Sequence, residues 1–336
     1  MRAARPRRAL DLAALATELR AGRGIAHKRD IAAIARPLSL PAAPVRVGDD
    51  CAAIPDGDGY LLFAIEGFIN EFVEAEPWFA GWCGVMVNVS DIYAMGGRPV
   101  GVVDALWSRN SIRAQPLLEG LAAAAKAYGV PVVGGHTNCQ SPRGEQLSVA
   151  IIGRARQLLT SFDAQPGDRL VAAIDLRGRY REPHPYWDAS TGAAPDGERL
   201  RGDLEILPQL AEAGLCRAAK DISMGGLAGT ALMLLECSNL GAVIDVAAVP
   251  RPPGAPLARW LSSFPSYGFL LAVAHADVGA VCDRFHQRGI AAADIGLCDA
   301  SGVVQLAEGS SDNPAMFWDL RQEPLLGISS AARVFA

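Results

Sequence analysis

The chain has 336 residues, half of them hydrophobic and a fifth charged, with a net charge of −5. That is more chain than one core usually organises and too apolar for disorder, so two globular domains are expected, and the acidic balance argues against nucleic acid or an anionic membrane as partner. No uncharged apolar run is long enough to span a bilayer, and the seven cysteines form no CxxC pair, which disfavours zinc and iron–sulfur sites and fits a reducing cytoplasm.

In chain order, the basic start "MRAARPRR" leads into "ALDLAALATELR". The acids inside that second run make residues 9–21 an amphipathic helix and not an export core. The polar "GRGIAHKRD" and the Pro-punctuated "ARPLSLPAAPVRVGDD" follow as connectors, and "YLLFAIE" reads as a strand. Over 78–95, Trp82, Val85, Val89 and Ile92 recur at helical spacing, while Gly84, Asn88, Asp91 and Met95 fall on the opposite side. Asp is a poor helix-interior residue. Either one helix carries an amide and a carboxylate a turn apart for a purpose, or Ser90 or Asp91 caps a second helix.

Beyond it come a strand at "VGVVDALW", a helix at 113–128, and strands at "VPVVGG" and "QLSVAIIGRA". The turn signal "AQPGDRL" places a domain boundary near 157, giving domains 1–157 and 158–336. The second half repeats the alternation: "LVAAIDL", a helix at 203–214, "RAAKDI", a helix from Gly225 to Cys237, "GAVIDV", a helix near 256–262, "GFLLAVA", a helix at 276–288, and "AAADIGL". Strands alternating with helices throughout indicate sheets covered by helices, an α/β or α+β protein.

Residues 178–203 interrupt the second half with a polar, Gly- and Pro-rich stretch too long for an ordinary connection. Arg177, Arg179 and Arg181 stand at period two, so in an extended chain all three project to one face and form a receptor for phosphate or carboxylate. Tyr186 and Trp187 would then cover a planar ligand as a lid. The alternative is a surface insertion whose arginines pair with Asp188, Asp196 and Glu198.

Four places combine acids or amides with glycine: "VGDDCA", "FAIEGF", "VNVSD" and "VVGGHTN". Ligands of α/β proteins gather at strand ends, and dispersed carboxylates without a Cys/His set suit Mg²⁺, which takes oxygen ligands and bridges nucleotide phosphates. Each fragment taken alone also reads as a turn. Neither GxxxxGK[ST] nor a GxGxxG after a strand is present, so Walker and Rossmann sites are disfavoured.

In combination and order, these fragments, with "KDISMGGL" and "FPSYGFLLAV" in the second half, resemble the PurM-like superfamily. It comprises aminoimidazole ribonucleotide (AIR) synthetase, thiamine-monophosphate kinase, selenophosphate synthetase and the hydrogenase maturation protein that handles carbamoyl phosphate; the nearest subgroup is the AIR synthase-related proteins. The resemblance implies a two-domain fold whose first-domain mixed sheet pairs into a dimer barrel and whose second domain is an α/β sandwich, hence a homodimer. It implies ATP and Mg²⁺ as cofactors and a small-molecule substrate. Asp49, Asp50, Asp91 and Glu66 become the metal ligands, Glu66 standing where most members have Asp. Asn88, Gly134, Gly135, Thr137, Asn138, Lys220 and Asp221 become nucleotide contacts. A neutral imidazole is a poor Mg²⁺ ligand, so His136 is assigned to phosphate or substrate, with a structural hydrogen bond as the alternative. Selenophosphate synthetases carry a reactive Cys or selenocysteine before the lysine; "AGRGIAHKRD" keeps Lys28, as a phosphate clamp or a solvated surface lysine, without that cysteine. The implied activity is ATP-dependent phosphorylation or activation of a small molecule, with an AIR synthetase-like cyclo-ligase or a non-catalytic nucleotide-binding regulator as alternatives.

Overall fold

A computed structural model describes residues 10–31, 46, 48–192, 196–309 and 313–327. The basic start and most of the Pro-punctuated connector lie outside these residues. The first half runs α1 (Leu12–Arg20), α2 (Arg23–Lys28), β1 (Ala52–Asp56), β2 (Gly59–Gly67), α3 (Asn70–Ala75), α4 (Pro77–Ala94), β3 (Arg98–Trp107), α5 (Ser111–Tyr128), β4 (Val132–Asn138) and β5 (Gln146–Ala155). The second half runs β6 (Arg169–Ile174), β7 (Arg179–Tyr180), β8 (Trp187–Asp188), α6 (Gly197–Leu204), α7 (Ile206–Glu212), β9 (Ala218–Asp221), α8 (Gly226–Ser238), β10 (Gly241–Asp245), α9 (Leu257–Leu261), β11 (Gly268–Val273), α10 (Val278–His286), β12 (Ala291–Asp299), β13 (Val303–Ala307) and β14 (Ala315–Asp319).

The first sheet has the order β1-β2-β5-β3-β4 and the second β14-β13-β10-β12-β6-β11-β9, both mixed. The change of sheet falls between Ala155 and Arg169. The division is not linear at the N-terminus, however. Leu15 and Leu19 of α1 are buried with Phe317 and Trp318 of β14, and Arg29 pairs with Glu323 at 2.7 Å. The two N-terminal helices therefore pack on the second sheet before the chain crosses to the first.

α4 is one unbroken helix, started by a proline at its first turn and continuing past Asp91, so the second-helix reading is excluded. It is buried almost all round, from Phe79 to Ala94, because one side packs on β5 and β2, another on α5, and its C-terminal half meets β9. Trp82, Val85, Val89 and Ile92 join the core as their spacing predicts. The elements depart from the sequence reading in several places. The connector expected at "GRGIAHKRD" holds α2, Pro55 sits inside β1 at the sheet's edge where a missing N–H costs nothing, and the helix expected at 203–214 is α6 and α7 meeting at Glu205.

Candidate functional site

Three carboxylates from distant parts of the chain converge where α4 faces the second sheet. Asp50 comes from the bend before β1, Asp91 from α4 and Asp221 from the end of β9, with ligand oxygens all within 4.8 Å of one another. All three carboxylates are buried. Among the described residues Asp50 Oδ2, Asp91 Oδ2 and Asp221 Oδ1 have no hydrogen-bond partner. Buried acids left unpaired are costly, and the cost appears in their titration. Burial pushes the Asp91 carboxyl well above its ordinary range, and Asp221, Glu66 and Asp50 add repulsion. Burial raises Asp50 and Asp221 as well, with Lys220 opposing.

Lys220 is the counter-charge: its ammonium pairs with Asp50 and lies 3.7 Å from Asp49. Burial works against that charge, but the two carboxylates outweigh it and hold the ammonium above its ordinary pKa. Asp49 itself is turned aside, accepting from the Ser161 backbone N–H and hydroxyl, each at 2.6 Å. Of the four acids expected around a metal, Asp50 and Asp91 thus converge. Asp49 is taken up by Ser161, Glu66 stands nearby, and Asp221, expected on the nucleotide, completes the trio. Asn88 donates to the Gly84 carbonyl at 2.8 Å, leaving its buried Oδ1 without a partner.

A cavity of about 370 Å³ opens beside the trio. Lys28, Glu66, Asp91, Asp221 and Ser223 line one part, and Phe68, Phe72, Tyr186 and Phe264 another. Sequence reading missed Ser223, whose buried hydroxyl is unpartnered, and Ser266, which donates to Asp221 Oδ2 at 2.6 Å. Both sit in quoted landmarks, yet a serine beside glycine or proline reads first as turn chemistry. Gly24 admits the N-terminal helices to this wall: a Cβ there would run into the Met224 carbonyl.

"GGHTN" is elsewhere. β4 is an edge strand exposed from Val132 to Asn138; His136 lies beside Trp107, ring centroids 5.8 Å apart, and lines a separate open depression with Thr137 and Asn138. Within one chain, Gly134, Gly135, His136, Thr137 and Asn138 do not line the cavity beside the acids.

The shared arginine face is also not formed. Arg177 pairs with Asp175 at 2.7 Å and Asp203 at 2.6 Å; Arg181 pairs with Glu76 at 2.8 Å and Asp188 at 3.1 Å; Arg179 is exposed. Period two holds only along a straight strand, and β7 is two residues long. Trp187 is buried against Trp260, its indole N–H on the Asp175 carbonyl at 2.9 Å, so it is a core residue and not a lid. The insertion reaches the cavity instead through His184, Pro185 and Tyr186.

Among the described residues no helix is long and apolar enough to cross a membrane. Residues 48–155 match the N-terminal domain, and 182–307 the C-terminal domain, of the AIR synthase related protein family. An uncharacterised protein of Synechocystis sp. is 49% identical over 94% of this chain and 98% of its own length. The thiamine-monophosphate kinase of Synechococcus elongatus is 30% identical over 61% of this chain and 68% of its own. Thermotoga maritima PurL complexed with ATP superposes with a TM-score of 0.74 at 20% identity, over 96% of this chain and 53% of that one, so the chain spans about half of PurL. On both domain matches and on the architecture described above, the chain belongs to the AIR synthase related protein family and has the two-domain PurM-like fold.

Proposed function

We propose that the chain is an ATP- and Mg²⁺-dependent enzyme that phosphorylates or otherwise activates a small molecule bound in the cavity beside Asp91. The observation that carries this reading is the trio of buried carboxylates Asp50, Asp91 and Asp221, within 4.8 Å of one another and each with one oxygen that no hydrogen bond meets. Its donors are all oxygen and its charge exceeds what Lys220 neutralises, which fits Mg²⁺ and disfavours softer metals. A bound Mg²⁺ would supply neutralisation of phosphate charge, the main requirement of phosphoryl transfer. Relatives support the same direction: one is a thiamine-monophosphate kinase, and PurL has been solved with ATP.

Asp50, Asp91 and Asp221 would hold the ion. Lys220, paired with Asp50 in this structure, would offer its ammonium to a phosphate oxygen. Lys28, on the cavity wall, would clamp a phosphate as a flexible point charge. Asp49, fixed by Ser161, keeps Lys220 within reach. The glycine–histidine strand end would serve the site only from a second copy, and the apolar outer face of the first sheet supports a homodimer.

ADP release by purified protein with Mg²⁺ across a panel of small hydroxyl, amide and phosphate acceptors tests this reading. Turnover with at least one acceptor is expected, lost in Asp221→Asn. Nucleotide binding without turnover on any acceptor would favour a regulatory role, and no Mg-ATP binding at all would overturn the proposal.

A further inference from the structure

The cavity changes character along its length. At the Asp91 end it is acidic; at the other it is walled by Tyr186, whose ring stacks on His184 at 4.9 Å and 16° and meets Phe72 and Phe264 edge-on, each at 5.1 Å. Arg23 and His27 also line the cavity, and Arg23 lies within electrostatic reach of Tyr186. Arg181 is neutralised by Glu76 and Asp188, Arg259 by Glu182 and Lys220 by Asp50, while Lys28, on the same wall, faces Asp50, Glu66 and Asp221 at the acidic end. Among the described residues Arg23 has no carboxylate partner, and its Nε donates only to His27 Nε2, at 3.4 Å. A guanidinium left without an acid at the mouth of an aromatic-walled cavity is a receptor for an anion attached to a flat ring, because its fork donates two parallel hydrogen bonds to a carboxylate or phosphate. A ring face beside it gains from aromatic contacts that a puckered ring does not make.

We propose that this cavity selects a planar, ring-bearing substrate through an anionic group bound by Arg23, with the ring against Tyr186, Phe72 and Phe264. That the substrate's reacting end then faces Asp91 and Asp221 rests on the phosphoryl-transfer reading above; the selection itself does not. His184 and Tyr186 bring the 178–203 insertion into this role, through rings and not through its arginines.

The experiment uses the full chain without nucleotide or metal and four probes: phenylacetate, phenyl phosphate, phenylacetamide and cyclohexylacetate. Binding is read by ligand-detected NMR titration. The ring anions should bind at least roughly tenfold more tightly than the neutral amide and the puckered acid. Preference between phenylacetate and phenyl phosphate identifies which anion the site takes. Arg23→Ala, at an exposed position where folding is not at issue, should reduce the ring anions to the affinity of the amide. Tyr186→Leu, checked for folding by circular dichroism, should erase the preference over cyclohexylacetate. Equal binding of all four probes, binding of none, or unchanged phenylacetate affinity in Arg23→Ala overturns the proposal. Because neither nucleotide nor metal is present, that result is independent of whether the chain transfers phosphate.

Discussion

Asp91 sits on a helix buried almost all round, one oxygen unpartnered and two further carboxylates within 4.8 Å. Replacing it by Asn keeps shape and removes one of the repelling charges. The apo protein should therefore unfold at the same temperature or higher, whereas a wild type given Mg²⁺ at a hundredfold excess over its Kd should gain about 2.7 kcal/mol, a gain the variant should lack. Calorimetry with and without Mg²⁺ reads both, and equal Mg²⁺ stabilisation of the two proteins would remove Asp91 from the site. This residue was legible in the sequence because a carboxylate inside an apolar helix needs a reason. Which of the adjacent Asp49 and Asp50 faces the cluster was not, since the choice is made by Ser161, more than a hundred positions away. Asp221 was legible as a site residue but not as a partner of Asp91; only the packing of α4 against β9 brings the two together.

At the scale of elements, hydrophobic period revealed α4, α5 and the main strands, but not how closely helices approach. Gly81 of α4 and Gly120 of α5 lie at their crossing, where a Cβ on either would run into the opposite backbone, the Leu117 carbonyl for Gly81 and the Trp78 carbonyl for Gly120. Backbone cannot step aside as a side chain can. Gly81→Ala should cost about 1–3 kcal/mol or more, read by denaturant unfolding, and a neutral effect would show that the crossing is loose. A second device joins the halves: Arg98, at the start of β3, holds Glu205 and Glu212 beside α7, both at 2.6 Å. The Arg98 hydrogen bond keeps the Glu212 carboxyl below its ordinary 4.5. A carboxyl lowered in the folded state contributes stability above that ordinary value and loses it as pH falls through the folded value. Arg98→Ala should therefore cost on the order of 1 kcal/mol or less at neutral pH, since solvent screens these half-open pairs, and the difference from wild type should shrink as pH drops below 4.5. A pH-independent difference would assign Arg98 to packing alone.

At the scale of the whole molecule, the outer face of the first sheet is a feature that one copy leaves unexplained. Register puts Phe63, Ile152 and Gly101 in one row and Ile65, Ala150, Val103 and Gly134 in the next, all on the side away from α4. Phe63, Ile65 and Val133 are 51%, 65% and 66% exposed. A sheet face meant for water alternates apolar with polar residues, whereas this one is apolar on both sides and ends in the unpaired edge of β4. A second copy laid on it would bury that face and could carry the stranded "GGHTN" segment toward its partner's acidic cluster. Light scattering should report a dimer at micromolar concentration. Ile65→Lys, which sets a charge in the middle of the face without touching a core residue, should give a folded monomer with weakened Mg-ATP binding. A monomeric wild type would separate the nucleotide site from the sheet face, and a dimeric Ile65→Lys would move the interface elsewhere.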